Sequence, residues 1–405
     1  MRTKTHGISY SDRGQTRSDS LTIVALSHLR WDFVYQRPQH LLTRAARQHR
    51  VLYIEEPKRD ADTAFMEIRD DASGVRIAIP HLSGSSPSGV LRALLDELLR
   101  TENLENLVLW YYTPLALQFS DHLNPCAVVY DCMDELSAFA GASAHLPAAE
   151  RELLKRTDLV LTGGHSLYAS KRSLHHNVHE FASGVDIGHF ASARHIHEEP
   201  PDQSAIPKPR IGFFGVLDER LDRDLLASIA AHAPGWHFVL IGPVAKIDPG
   251  ELPRASNLHY LGPKSYEDLP GYIAGWDVAM MPFAMNAATK YISPTKTPEY
   301  LAAGKPVVST PIADVVRTYG AVGLARIAGT PEEFVESIRA ALCEPLGRRI
   351  DRVQAHLATQ SWDEIWARIS ERLRASVIDR RRHSSGVALR GVGMSKTEGR
   401  GCSIT

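Results

Sequence analysis

Short apolar runs alternate with longer amphipathic stretches along this chain, and the alternation stops once and restarts. Residues 21–27 read as a buried strand, 37–48 as a helix with Pro38 in its first turn, and 51–55 as a second strand. Residues 107–111, 127–130 and 159–162 continue the series, each beside a helical stretch. A βαβα rhythm of this kind predicts a parallel sheet covered on both faces. Residues 195–209 break it with a His-rich, acidic and Pro-rich segment that has no apolar period. Strands are then expected at 211–214, 237–241, 258–261, 278–282 and 306–309. Helices are expected at 225–232, 266–275, 297–303 and 332–343, with a final helix at 362–377. The fold class predicted is α/β, with two Rossmann-like doubly wound domains facing a cleft. Residues 1–20 and 380–405 are expected to be disordered, with domains at 21–194 and 210–361, a linker at 195–209 and a C-terminal helix at 362–379.

Charge and cysteines exclude several classes. The formal net charge is −1 over 405 residues, so nothing points to a nucleic-acid partner. The N-terminus has no apolar stretch of signal type, and no apolar run reaches the length of a membrane span. A cytoplasmic location is therefore expected, with Arg380, Arg381 and Arg382 as the one contact offered to an anionic membrane surface. The four cysteines show neither CxxC spacing nor a Cys/His cluster, so no metal site is expected from them.

Ligands of open α/β sheets bind at the carboxyl ends of the strands, so the loops there carry the chemistry. In Arg210-Ile211-Gly212-Phe213-Phe214-Gly215-Val216-Leu217-Asp218-Glu219-Arg220, a strand enters a glycine turn, and Gly215 lets backbone amides approach an anion while Arg220 can clamp a diphosphate. In Leu240-Ile241-Gly242-Pro243-Val244-Ala245-Lys246 a second glycine turn, at Gly242, is followed by a cation at Lys246. The third segment runs Ser293-Pro294-Thr295-Lys296-Thr297-Pro298-Glu299. Thr297 and Pro298 start a helix whose free amides can hold phosphate, and Glu299 in its first turn can accept two ribose hydroxyls. Each of these also has an ordinary reading, as a surface cation in a βα turn or a dipole-favourable glutamate.

In the first half, the loop Ser27-His28-Leu29-Arg30-Trp31-Asp32-Phe33-Val34-Tyr35-Gln36-Arg37 holds aromatics that can stack on sugars and arginines that can meet a phosphate. Tyr130-Asp131-Cys132-Met133-Asp134-Glu135 follows another strand. Asp131 there is the candidate to orient or deprotonate an acceptor hydroxyl, and Asp134 is either an acceptor contact or a helix cap. Gly163-Gly164-His165-Ser166 is a further βα turn at the same level.

The run Glu299-Tyr300-Leu301-Ala302-Ala303-Gly304-Lys305-Pro306-Val307-Val308 resembles the E-A-x-A-x-G-x-P-V-V signature of GT-B glycosyltransferases, family GT4 in particular. Ser183-Gly184-Val185-Asp186 and Phe190 resemble the N-G-V-D…F segment of that family. Three departures are plain. Tyr291 stands where an earlier glutamate is usual, the glycine turn lacks one cation and has the other shifted by a residue, and no Gly-Gly loop follows the first strand. The resemblance implies that Glu299 binds the donor ribose, that Ser293, Pro294, Thr295, Lys296 and Thr297 meet the diphosphate, and that Arg220 and Lys246 are the catalytic cations. The strand-end loops themselves add Gly215 and Gly242 to the donor side, Asp131 as a catalytic candidate, and an acceptor side at His28, Arg30, Trp31, Asp134, Gly164 and His165. The resemblance also implies metal-independent, retaining transfer without a cofactor, from a UDP- or GDP-linked sugar to a polysaccharide or lipid-linked glycan. The alternatives are a nucleotide-sugar 2-epimerase on the same fold and a non-catalytic glycan-binding or partner subunit.

Overall fold

The computed structural model describes residues 20–84, 88–102, 104–344 and 347–392. The expected N-terminal disordered segment up to residue 19, and the end of the chain from residue 393 with Cys402, lie outside the described residues.

Two sheets form. The first holds β1 (Thr22–Leu26), β2 (Arg50–Ile54), β3 (Phe65–Asp70), β4 (Val75–His81), β5 (Leu107–Tyr111), β6 (Ala127–Cys132), β7 (Leu159–Thr162) and β8 (Val178–Glu180). Their order is β3-β4-β2-β1-β5-β6-β7-β8, and every pairing is parallel except β3 with β4. The second sheet holds β9 (Arg210–Phe214), β10 (His237–Ile241), β11 (Leu258–Tyr260), β12 (Val278–Met281), β13 (Val307–Ser309) and β14 (Ala325–Ile327). It is ordered β11-β10-β9-β12-β13-β14, parallel throughout. β1, β6, β9 and β12 are buried along their whole length, as strands covered by helices on both faces must be.

β3 and β4, absent from the expected elements, make an antiparallel hairpin closed by Asp71–Gly74. Gly74 takes a φ of 87° there, and the backbone N–H of Asp71 donates to the Val75 carbonyl.

The domain boundaries also differ from expectation. Val185, Phe190 and Ala193 already pack in the core of the second domain. The stretch expected as a linker folds onto that domain as well: Gln203 is buried, accepts from the Trp276 indole N–H at 2.9 Å and donates to the Tyr272 carbonyl at 2.9 Å. Ile206 alone of this stretch enters the apolar core, and polar contacts carry much of the rest, so apolar periodicity does not reveal it.

The final helix, Trp362–Val392, returns to the first domain. Trp362, Ile365, Trp366, Ile369, Leu373 and Val377 form its buried stripe, at helical spacing, against a core that includes Trp110 and Leu161. The outgoing and returning strands of chain pair with each other, where the Val185 N–H donates to the Gln360 carbonyl at 2.9 Å. Residues 380–392, expected to be disordered, continue this helix. Arg380 pairs with Asp158 at 2.7 Å and Arg381 donates to Asn106 at 2.8 Å, so two members of the basic cluster lie on the first domain. Among the described residues, no helix is long and apolar enough to cross a membrane.

Candidate active site

A cleft of about 670 Å³ opens between the carboxyl ends of the two sheets. Its second-domain wall is built around the helix Lys296–Ala302. The Tyr300 hydroxyl accepts from the Phe214 backbone N–H at 2.9 Å, which ties this helix to the end of β9 and aims its N-terminus at the cleft. Ser293, Pro294, Thr295, Lys296 and Glu299 all line the space.

Glu299 is the most informative of them. It is only 4% exposed, and its Oε2 has no hydrogen-bond partner. Burial pushes its carboxyl up to about 7, against the opposing pull of Lys296. A buried, half-satisfied carboxylate oxygen facing a cleft is a place for a hydroxyl donor.

The two glycine turns pack against one another. A side chain on Gly242 would meet the Gly215 carbonyl at 1.9 Å, and one on Gly215 would meet the Lys296 Cε at 2.2 Å. Both have a positive φ, 142° and 145°. These glycines let the ends of β9 and β10 close up, so that Lys296 can cross over them.

Arg220 lines the same space and is held by buried Asp218, with Nε on Oδ1 at 2.9 Å and Nη2 on Oδ2 at 2.7 Å. That two-point pair fixes the guanidinium plane. Its remaining hydrogen-bonding edge, together with Lys296, puts cationic charge beside the helix N-terminus.

The first-domain wall is the loop after β1 with the turn of the β3–β4 hairpin. The Trp31 backbone N–H donates to Glu55 at 2.8 Å, its indole N–H donates to Asp71 at 3.2 Å, and Gln39 donates to its carbonyl at 2.7 Å. The loop is thereby fixed. Phe33 and Tyr35 project from it, 50% and 38% exposed, and both line the cleft. Exposed aromatics on a rigid loop suit the apolar faces of sugar rings. Asp134 enters from the loop after β6. Burial raises its carboxyl above the usual range, against the pull of Arg220 and Lys246.

The domains touch around the cleft. Phe139, from the first domain, lies under the Lys246 ammonium at 4.6 Å and the Arg220 guanidinium at 5.7 Å. The next residue, Ala140, donates its N–H to the Glu219 carboxylate at 3.1 Å. On the far side Tyr266 meets Tyr35 at 4.6 Å and stacks on His189 at 4.4 Å. Ser166 donates its N–H to Asp314 at 3.0 Å.

Ten of the expected site residues line the cleft: Gly215, Arg220, Gly242, Ser293, Pro294, Thr295, Lys296, Glu299, Trp31 and Asp134. Seven do not. Asp131, the expected base, is fully buried with Arg37, whose Nε donates to Oδ1 at 2.9 Å, and burial raises its carboxyl. It braces the helix Arg37–Ala45 against β6 and is closed to an acceptor. Arg37 itself borders the cleft, but its Nε is taken by this pair and its Nη1 donates to the Phe181 carbonyl at 2.8 Å. Arg30 turns away to Glu55 and the Glu56 carbonyl. Lys246 sits behind Phe139, with a φ of 61°. Thr297 is buried, its hydroxyl on the Met281 sulfur at 2.9 Å. His28 is pushed down to about 4 by burial, so its ring is neutral near pH 7. Gly164 lies against Asp314 and Ser293 at the domain seam, and His165 pairs with Glu180 at 2.8 Å.

Phe139, Asp218 and Glu219, which surround the cations, and the hairpin turn Asp71–Ser73 are not among the expected site residues. The Asp-x-x-Gly turn between period-two runs is the signal that finds the hairpin. Phe139 carries no such signal. Among the described residues no group of three or more His, Cys, Asp or Glu side chains is placed to hold a metal ion.

Two α/β domains with a phosphate-type helix terminus, fixed cations and a buried glutamate on one side of a deep cleft define a GT-B glycosyltransferase frame. Residues 208–344 match the family described as Glycosyl transferases group 1. A Bacillus subtilis (strain 168) protein, TuaH, described as a glycosyltransferase and assigned to teichuronic acid biosynthesis, is 27% identical over 301 residues. These span 69% of this chain and 75% of that one. Among solved structures, a sucrose-phosphate synthase from Thermosynechococcus elongatus has a TM-score of 0.66 at 15% identity, covering 88% of this chain and 98% of that one. Anabaena Alr3699/HepE, solved in complex with UDP and glucose, has a TM-score of 0.63 at 16% identity, covering 87% and 99%. At these identities the solved structures establish the GT-B fold, while the group 1 match and the Bacillus relative establish the activity class. The chain is a glycosyltransferase with a GT-B fold, and its second domain is similar to the group 1, GT4-like family.

Proposed function

We propose that the enzyme transfers a hexosyl group from a UDP- or GDP-linked sugar to a hydroxyl of a polysaccharide or lipid-linked glycan, with retention and without a metal ion. The observation that carries the donor reading is the unpartnered, buried Oε2 of Glu299 one turn inside a helix whose N-terminus faces the cleft. A ribose diol donating to that carboxylate leaves the diphosphate beside the helix amides, Arg220 and Lys296.

In the reaction, the bond from the anomeric carbon to the diphosphate oxygen breaks, with its electrons going to the diphosphate. The acceptor oxygen bonds to that carbon, and its proton passes to a leaving phosphate oxygen. Arg220 and Lys296 stabilise the departing charge, as a metal ion would elsewhere. With Asp131 sealed by Arg37, Asp134 is the carboxylate that meets the acceptor hydroxyl. Phe33, Tyr35 and Trp31 form the surface on which a sugar ring of the acceptor rests. The site for the reaction is cytoplasmic in this reading, consistent with free thiols at Cys126, Cys132 and Cys343.

The test is release of nucleoside diphosphate from UDP- and GDP-sugars, with and without glycan acceptors. Release that requires an acceptor supports transfer. Interconversion of the donor sugar without an acceptor would replace this reading with epimerisation.

A further inference from the structure

A second pocket, of about 290 Å³, lies between the helix Arg37–Ala45 with the residues just after it and the first turns of the final helix. It shares no lining residue with the active-site cleft. Asp363, Trp366, Ser370 and Arg374 enter it from one face of the final helix, at the spacing of successive turns. Arg44 and Arg47 face them.

Two features make this more than a crevice. The first is charge. Three arginines meet one aspartate, a formal excess of two positive charges. Asp363 is shared, with Oδ2 on Arg44 at 3.0 Å and Oδ1 on Arg47 at 2.9 Å, so it holds both guanidiniums in place without neutralising the set. The second is a group of buried donors with nothing to donate to. The Arg44 Nε, the Trp366 indole N–H and the Ser370 hydroxyl are all without a hydrogen-bond partner, in residues that are 8%, 5% and 4% exposed. A buried polar group left unpaired is costly, so three in the residues that line one cavity mark a place built for an acceptor. A ligand that takes three N–H or O–H donors and excess positive charge is an oxyanion with several acceptor oxygens.

We propose that this pocket binds a phosphate-type oxyanion, held by Arg44, Trp366 and Ser370 and attracted by Arg47 and Arg374. The ligand bridges the helix Arg37–Ala45 and the returning final helix, so it ties the chain's last helix to the first domain. A soluble phosphorylated compound and a phospholipid headgroup present the same chemistry.

The experiment uses the full chain. Inorganic phosphate is titrated against sodium chloride at equal ionic strength, and the melting temperature is read. Phosphate should raise it in the wild type by mass action. The rise should fall by more than half in R47A/R374A, which changes the attracting charge at the pocket mouth. It should also fall in S370V, which keeps every charge and removes one donor, while R220A, at the cleft, should keep the pocket's share. A shift unchanged in both R47A/R374A and S370V, lost only in R220A, or absent from the wild type would overturn the proposal. Sedimentation with phosphatidylcholine vesicles, with and without phosphatidic acid, separates the sources. Binding that needs phosphatidic acid and is lost in R47A/R374A identifies a lipid headgroup. Thermal stabilisation by phosphate without vesicle binding identifies a soluble ligand.

Discussion

Glu299 and Lys296 stand one helical turn apart at the head of the same helix, and each holds the other's charge in a poorly solvated site. Burial raises the carboxyl and lowers the ammonium, and each opposes the shift of the other. The site therefore stores an electrostatic cost that a ligand bearing hydroxyls and phosphates can relieve.

Nucleotide binding should depend on pH through Glu299. Its carboxyl sits near 7 in the folded protein, above its ordinary value, so its stabilising contribution is present at low pH and is lost as pH rises through 7. Ribose hydroxyls favour the ionised form. UDP or GDP affinity should therefore rise from about pH 5.5 and level off above about pH 7.5. In E299Q that component should vanish, leaving only the titration of the phosphate itself. Calorimetry across the pH range checks this, and identical profiles for the two proteins would contradict it.

Arg220 should act on turnover more than on folding. It is quarter-exposed in its side chain and clamped by Asp218. R220A should lower kcat by about 100-fold, the loss typical of one fixed charge-stabilising group. D218N keeps the arginine but loosens it, and should cost less. Steady-state kinetics at saturating donor make the comparison.

The contact between the glycine turns predicts a stability effect. In G242A the new methyl would overlap the Gly215 carbonyl at 1.9 Å, in a backbone conformation that alanine disfavours. The cost should exceed about 2 kcal/mol and appear as a lower melting temperature. A G235A control, where a side chain meets open space, should show little change.

Phe139 predicts a domain effect. Its ring lies against Lys246 and Arg220 across the cleft. F139A should leave the melting temperature nearly unchanged and raise KM for the donor several-fold, because the cations lose the face that positions them. Unchanged kinetics would remove the ring from the account.

The strands buried on both faces were legible because their apolar runs are nearly continuous. β1, β5, β7, β9, β10 and β12 all show this. β3 and β4 were not, because β3 is largely exposed and β4 carries Pro80. β14 is three residues long at a sheet edge. The final helix runs on past residue 379 through pairs with Asp158 and Asn106, more than 200 residues away, which no local pattern encodes. The second-domain wall of the cleft is legible for the opposite reason: Ser293, Thr295, Lys296 and Glu299 lie in one short segment that carries its own helix start. Asp131 shows the limit. An acid at a strand's carboxyl end has the right address for catalysis, and Arg37, 94 residues earlier, turns it into a brace.

The most direct test of the nucleotide site is calorimetric titration of UDP and GDP into the wild type and E299A. A charge-assisted pair of hydroxyl bonds is worth about 1.5–3 kcal/mol, so E299A should lose about 10- to 100-fold in affinity for the preferred nucleotide while its melting temperature stays level or rises. Equal affinity in a folded E299A would contradict the assignment of Glu299 to the ribose, and with it the donor site proposed at the head of this helix.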